Sequence, residues 1–198
     1  MPLVVLMLVF AGCGAVKSGS DTSRKESAPS TASSEQSAAT TSVLGDAVFA
    51  LYNKVSLEQT KDQVDEELNI TGEENSAAPN IYTYLDSTTG YGVSVMYDNN
   101  KNAISKTLIY TSHKDIAPFC KKAVSKDTAA LIKGGMTYDQ VKALLGGDGI
   151  EICLSESEVG SQEKSVIRRW ANNDGSCLDV YFGPDGTVSN SYFGENNY

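Results

Sequence analysis

Five side chains in this sequence are obvious candidates for nucleophiles or metal ligands: the cysteines Cys13, Cys120, Cys153 and Cys177, and the single histidine His113. A thiol activated by a histidine would be a catalytic nucleophile, and clustered cysteines and histidines would bind zinc. Nothing in the sequence places His113 near a thiol, and the five residues are not clustered. We therefore predict no catalytic residue, no metal site and no cofactor, and we interpret His113 as a solvated residue in a turn.

Acidic residues are the other candidates for chemistry. A cell-wall hydrolase needs a general acid and a nucleophile held at a fixed separation. Asp179 lies on an expected exposed strand face but has no evident partner, and the acidic stretch Glu151–Glu163 is predicted to be a solvated loop. An enzyme remains an alternative that two carboxylates converging in a cleft would support.

The N-terminal segment is apolar from Met1 to Phe10 and turns polar after Cys13. Such a run is too short to span a bilayer and predicts an export signal. The residues Phe10–Cys13 (Phe-Ala-Gly-Cys) resemble the lipobox of bacterial lipoproteins, with phenylalanine where leucine is usual. The resemblance implies that residues 1–13 are a lipoprotein signal and that Cys13 is acylated, which anchors the chain on the extracytoplasmic face of the cell membrane. The alternatives are an ordinary cleaved signal and a fragment of a membrane helix.

Residues 14–42 are rich in Ser, Thr and Ala and show no hydrophobic periodicity. They predict a disordered tether with a root-mean-square reach of roughly 30 Å. The whole chain has 198 residues, a net charge of −9 and a pI near 4.6. This charge disfavours nucleic acid as a partner and leaves the lipid anchor as the expected contact with the membrane.

A degenerate repeat organises the rest of the chain. Thr60–Leu68 and Thr137–Leu145 match at an offset of 77 residues, each with a threonine N-cap, an Asp-Gln-Val triplet and an i, i+4 apolar stripe. Both are predicted to be short helices. Further helices are predicted at Val43–Val55, Thr128–Lys133 and, between the copies, Ile116–Val124.

Six strands are predicted from alternating apolar residues between Asx- and Gly-rich turns. They are Tyr82–Leu85, Gly92–Tyr97, Ala103–Tyr110, Ser165–Trp170, Ser176–Phe182 and Thr187–Phe193. The predicted fold class is α+β with two tandem units, residues 43–112 and 113–198. Each unit would be a helix pair packed on its own antiparallel meander sheet.

The stretch Gly135–Gly146 resembles the repeat motif Gly-Met-Thr-x-x-Gln-Val-x-x-x-x-Gly of the β-lactamase inhibitory protein family. The small lipoprotein of the outer-membrane β-barrel assembly machine has a similar motif. The first copy departs from it, with Glu58–Thr60 (Glu-Gln-Thr) in place of Gly-Met-Thr. The resemblance implies a concave two-sheet surface, rich in aromatic residues, that grips a protein loop.

The resemblance also implies a disulfide between Cys153 and Cys177, which would close a loop of about 25 residues. Cys120 would then be free or paired between molecules. Three buried thiols in a reducing niche are the alternative.

The partner-binding residues predicted on this basis are Tyr84, Arg168, Trp170, Tyr181 and Tyr192. Tyr, Trp and Arg are common binding hot spots because they offer a large rigid area with a polar tip. Tyr181 has the opposite parity to the apolar residues of its strand and should face outward. For Tyr84 and Trp170 the alternative is that each completes a core.

These observations predict a lipid-anchored module, not an enzyme, that binds an envelope or extracellular protein. The near alternative is a structural role in envelope assembly. A cell-wall enzyme and an inhibitor of a β-lactamase are the less favoured alternatives, since the inhibitor's contact residues are not recoverable by motif.

Overall fold

The computed structural model describes residues 47–195, which belong to one compact unit. The predicted signal segment 1–13, with its lipidation site Cys13, and the predicted tether 14–42 lie outside the described residues. Both therefore stay predictions.

The described helices are short. They are α1 at 47–54, α2 at Lys61–Leu68, α3 at His113–Ile116, α4 at Lys126–Ala129 and α5 at Tyr138–Leu145, with a 3-10 turn at Ala117–Phe119. The strands are β1 at Glu73–Glu74, β2 at Ile81–Leu85, β3 at Gly92–Tyr97, β4 at Ala103–Ile109, β5 at Ile150–Glu156, β6 at Lys164–Ala171, β7 at Cys177–Phe182 and β8 at Val188–Gly194.

All eight strands form one antiparallel sheet in chain order, β1 to β8. The prediction of two tandem units, each a helix pair on its own sheet, is therefore wrong: the described part is mostly sheet, and the sheet is continuous. The junction is formed by β4 and β5, with Ser105 opposite Ser155 and Thr107 opposite Cys153. Residues from both sides of the predicted boundary at 112/113 thus share one hydrogen-bonded ladder.

The error has a physical source in β5. The acidic residues of Glu151–Glu163 predict a solvated loop, and this prediction omits the strand that joins the two halves. Glu151 tolerates a position in the sheet because the Tyr52 hydroxyl donates to it at 2.9 Å and the guanidinium of Arg168 lies 3.7 Å away.

The two helices of the sequence repeat are confirmed. Thr60 and Thr137 each form a capping box, in which the threonine hydroxyl accepts from a backbone N–H of the first turn and a glutamine side chain accepts from the threonine N–H. Both helices end at a left-handed residue, Asn69 at φ 53° and Gly146 at φ 74°. The local helix signals in the sequence were therefore sufficient.

The predicted connecting helix Ile116–Val124 is wrong. The chain forms only the short α3 and the 3-10 turn that contains Pro118, and Cys120 is already extended. Proline lacks the N–H that a longer helix would need. Val124, the last residue of the predicted helix, forms its backbone hydrogen bonds with the side chain of Asn172. The amide of Asn172 accepts from the N–H of Val124 at 2.9 Å and donates to its carbonyl at 2.8 Å.

The helices α1, α2, α4 and α5 pack on the same side of the sheet, which we call the helix face. Paired residues of an antiparallel ladder point to the same side, so the register defines each face. One complete row of the helix face is Tyr82, Val95, Lys106, Leu154, Val166, Phe182 and Val188. The other side we call the open face; its matching row is Thr83, Ser94, Thr107, Cys153, Ile167, Tyr181 and Asn190.

A glycine packed against an aromatic ring recurs in both halves of the helix face. A Cβ on Gly72 would lie 2.5 Å from the ring of Tyr84, and a Cβ on Gly149 would lie 2.8 Å from the ring of Trp170. Tyr84 and Trp170 occupy matching register positions, opposite Val93 and Leu178. The glycines are needed at these positions because the chain passes directly over a buried ring.

We expect Gly149→Ala to lower the free energy of unfolding by about 1–3 kcal/mol, because the added methyl overlaps a rigid indole ring in a packed core. Chemical denaturation followed by Trp170 fluorescence measures this. Gly134→Ala is the matched control, since its Cβ would have an ordinary contact of 3.7 Å. Equal stability of both variants would show that the chain above Trp170 can move aside.

Candidate functional site: the open face of the sheet

The open face carries mainly hydroxyl, thiol and aliphatic side chains. Beside the row that defines it, Met96 lies opposite Ser105 and Ser155 lies opposite Ser165. On β2 to β8, register and strand alternation place only two charged side chains on this face, Arg169 and Asp179, and these form an ion pair. The four packed helices listed above all lie on the other side of the sheet.

The ion pair lies at the end of the face where the connector from β4 passes. Asp179 is 6% exposed and accepts from Nε of Arg169 at 2.5 Å, and a second nitrogen of the same guanidinium completes a bidentate contact. The sequence reading of Asp179 as an exposed residue without a partner is therefore wrong. The guanidinium also donates to the hydroxyl of Tyr110, and burial raises the pKa of Tyr110 to about 12.

His113 belongs to the same cluster and is not the solvated residue that the sequence suggested. Its Nδ1 lies 2.7 Å from the carbonyl oxygen of Gly175 and its Nε2 lies 3.2 Å from a guanidinium nitrogen of Arg169. Because a carbonyl can only accept and a guanidinium can only donate, the hydrogen is on Nδ1. Both ring nitrogens are thus engaged in holding the connector against β6 and β7.

The three cysteines in the described residues are free thiols. Cys153 and Cys177 lie on β5 and β7, which are separated by β6. Two strand spacings put their Cα atoms roughly 10 Å apart or more, beyond the limit of about 7 Å for a disulfide. The arrangement therefore does not match the pairing that the resemblance implies.

Burial disfavours the reactive thiolate form of two of the three thiols. Burial raises the pKa of Cys120 and of Cys177, which keeps them protonated and unreactive. Cys120 caps the end of β6, where its sulfur accepts from the N–H of Ala171 at 3.2 Å. Cys153, on the open face, receives a hydrogen bond from the hydroxyl of Thr107 at 3.4 Å. Among residues 47–195, no group of three His, Cys, Asp or Glu side chains could hold a metal ion.

The five predicted partner-binding residues divide between the two faces. Tyr84 and Trp170 are buried on the helix face, with exposed fractions of 0% and 1%. Both complete a core, which was the alternative reading. Tyr181 is half-buried on the open face and lies one strand from Tyr192, which is 64% exposed. The alternation of β7 was sufficient to place Tyr181, whereas Tyr84 and Trp170 share the parity of the core.

Arg168 also points to the helix face, where it belongs to a polar seam between the two halves that sequence reasoning missed. The seam is a chain of contacts that runs Tyr52, Glu151, Arg168, Tyr138 and Asp148. The guanidinium of Arg168 lies 4.6 Å from the ring centre of Tyr138, whose hydroxyl donates to Asp148 at 2.5 Å. Burial and the Glu151 carboxylate raise the pKa of Tyr52. These residues are distant in the sequence, so no local pattern could have connected them.

No protein-family model and no curated protein matches this chain. In the described part of the chain, no helix is long and apolar enough to cross a membrane.

Proposed function

We propose that this chain is a lipid-anchored, extracytoplasmic module that binds a protein partner on the open face of its sheet. The observation that carries the proposal is the composition of that face: it combines hydroxyl, aliphatic and tyrosine side chains with no unpaired charge on β2 to β8. The desolvation penalty for covering such a surface with a protein is small, whereas burying an unpaired charge would cost several kcal/mol.

The size of the face is suited to a protein ligand. Eight strands at about 4.8 Å spacing extend roughly 34 Å across the sheet, and strands of five to six residues are about 17–20 Å long. The whole sheet face therefore has a projected area of roughly 600 Å². The connector from β4 covers the end at Asp179, so the area left for a partner is somewhat below the area of about 800 Å² that each partner buries in a standard protein interface. A small molecule would need a concave pocket instead.

The partner would be a protruding loop with apolar and hydroxyl side chains. Tyr181 and Tyr192 supply the aromatic area that hot spots use, and Asn190, opposite Tyr181 in the ladder, supplies an amide for hydrogen bonds. The absence of unpaired positive charge on the strands of this face argues against a nucleic acid, which needs clustered Lys and Arg.

The location rests on the sequence alone. The apolar run that ends at Cys13 supports export and acylation, and the polar segment 14–42 would then act as the tether between lipid and sheet. An anchored module of this kind would meet partners in the envelope or at the cell surface.

Affinity capture from the solubilised envelope of the source organism tests the proposal, with the full-length chain as bait. We expect the wild type to retain one protein. The amount retained by the Tyr181→Ala/Tyr192→Ala variant should be lower by about 30-fold or more, since loss of a hot-spot side chain costs about 2 kcal/mol or more of binding free energy. The matched control is Leu131→Ala, which removes an apolar side chain that is 56% exposed on the segment after α4. Equal retention by all three baits would reject the open face as the binding surface.

A further inference from the structure

The two edges of the sheet differ sharply in how they are protected. The β1 edge consists of two glutamates, and short, charged edge strands resist pairing with other chains. The β8 edge has seven residues, Val188–Gly194, and contains neither a charge nor a proline. Its residues Ser189, Asn190 and Tyr192 are exposed.

The internal repeat makes β4 the counterpart of β8, so β4 shows which neighbouring segments a strand of this type pairs with. In the first half, Ala103 on β4 exchanges two backbone hydrogen bonds of 2.8 Å with Glu58 and Gln59. In the second half, Val188 on β8 exchanges two bonds of 2.8 Å with Gly135 and Met136. Each strand then continues past a β-bulge, at Met96/Tyr97 and at Tyr181/Phe182 on the partner strands. The strands β4 and β8 are therefore equivalent in detail.

The equivalence ends just after the bulge. On β4, the stretch Ser105–Thr107 pairs with β5. The corresponding stretch of β8 is Asn190–Tyr192, and no strand of the described residues pairs with its outer edge. Here the backbone N–H of Ser191 donates to the side-chain oxygen of Asn190 at 2.9 Å. Ser191 is the counterpart of Lys106, which lies opposite Leu154 of β5. On β8 there is no such neighbouring strand among the described residues, and the N–H of Ser191 is satisfied by the adjacent side chain instead.

We propose that the β8 edge at Asn190–Tyr192 binds an extended segment of a partner protein as a ninth, antiparallel strand. The segment would follow the pattern of Cys153–Ser155, with one apolar side chain toward the helix face and a small side chain on either side of it. The site uses the outward backbone groups of this stretch and not the open-face side chains of Asn190 and Tyr192, so it stands independently of the proposed function.

The occupant is expected to be another protein and not a second copy of this chain. Each copy carries a net charge of −9, which opposes self-association. A head-to-tail copy would have to supply β1, the counterpart of β5, and β1 offers only Glu73 and Glu74. A neutral extended segment has neither disadvantage, and strand addition to a free edge is a common mode of peptide recognition.

The test uses the full-length chain in a mild detergent and a fluorescent peptide as the probe. The peptide has the sequence of Ile150–Glu156 with Glu151→Gln, Cys153→Ser and Glu156→Gln, which makes it neutral. A control peptide also carries Leu154→Pro and cannot complete the ladder. We expect saturable binding by fluorescence anisotropy, about ten-fold weaker or more for the control peptide, and slower amide exchange in Ser189–Phe193 on peptide addition.

A variant locates the interaction at one backbone group. Ser191→Pro removes the N–H that is bonded to Asn190 and should weaken peptide binding about ten-fold or more, while Asn190→Ala removes the competing acceptor and should bind the peptide at least as tightly. Because Asn190→Ala also removes an amide from the open face, this variant is used only for the peptide-binding measurement. If Ser191→Pro does not fold, the amide exchange of the wild type decides alone. Equal binding of the two peptides, no binding, or unchanged exchange in β8 would overturn the proposal. Dimerisation of the peptide-free chain through β8 would assign the edge to a second copy and would also overturn it.

Discussion

Arg169→Met is expected to lower the free energy of unfolding by about 3–5 kcal/mol, because it leaves the carboxylate of Asp179 buried without its countercharge. The carboxylate is held by two nitrogens of the guanidinium and is 6% exposed, so water cannot replace the lost partner. The same change frees Tyr110 and His113 from the guanidinium. Urea denaturation followed by far-UV circular dichroism measures the effect.

The double variant Arg169→Met/Asp179→Leu is the control for this prediction. Replacing both members of a buried ion pair by apolar residues is often neutral or stabilising, so most of the lost stability should return. A double variant as unstable as Arg169→Met would mean that Arg169 acts mainly by holding Tyr110 and His113. In either case the pair is a structural element of the open face, since it leaves the surface without net charge.

Local signals in the sequence were enough for the elements but not for their assembly. The threonine caps at Thr60 and Thr137 and the alternation in β3 and β7 depend on neighbours within a few residues, and the sequence displays them directly. The single sheet depends on β5, whose acidic residues are more typical of a solvated loop than of a strand. Glu151 is accommodated in a strand by Arg168 and by Tyr52, which is 99 positions away in the chain, and no periodicity in the sequence reveals such a contact.

The candidate site was predicted in part for the same reason. Parity placed Tyr181 on the outward side of β7, because a period of two is a local property of a strand. It could not show that Arg169 and Asp179 pair across β6 and β7 or that His113 bonds to Gly175, which depend on the ladder register and on the path of the connector. The open face itself exists because α1, α2, α4 and α5 all pack on the other side of the sheet, which no local pattern in the sequence shows.

Trp170→Ala is expected to have a comparably large effect, about 3–5 kcal/mol. The indole is 1% exposed, its N–H donates to the carbonyl of Gly147 at 3.1 Å, and it packs on the core beneath α5. Removal leaves a cavity in the core of the second half and takes away the donor that is bonded to the Gly147 carbonyl. The matched change in the other half is Tyr84→Ala, which opens a cavity and breaks the hydroxyl contacts with Asp65 at 2.9 Å and Tyr97 at 2.8 Å.

The continuous sheet predicts that both variants weaken the two halves together. Because β4 and β5 share a ladder and the polar seam ties α1 to α5, loss of the Trp170 core should lower the protection of β3 as well as β7. Amide exchange resolved by strand, measured for the full-length chain with each variant, tests this directly. If Trp170→Ala exposed only β5 to β8 while β1 to β4 kept wild-type protection, the halves would fold as separate units in spite of their shared sheet. Parallel loss in both halves would instead show that the β4–β5 junction makes the two repeats one cooperative structure.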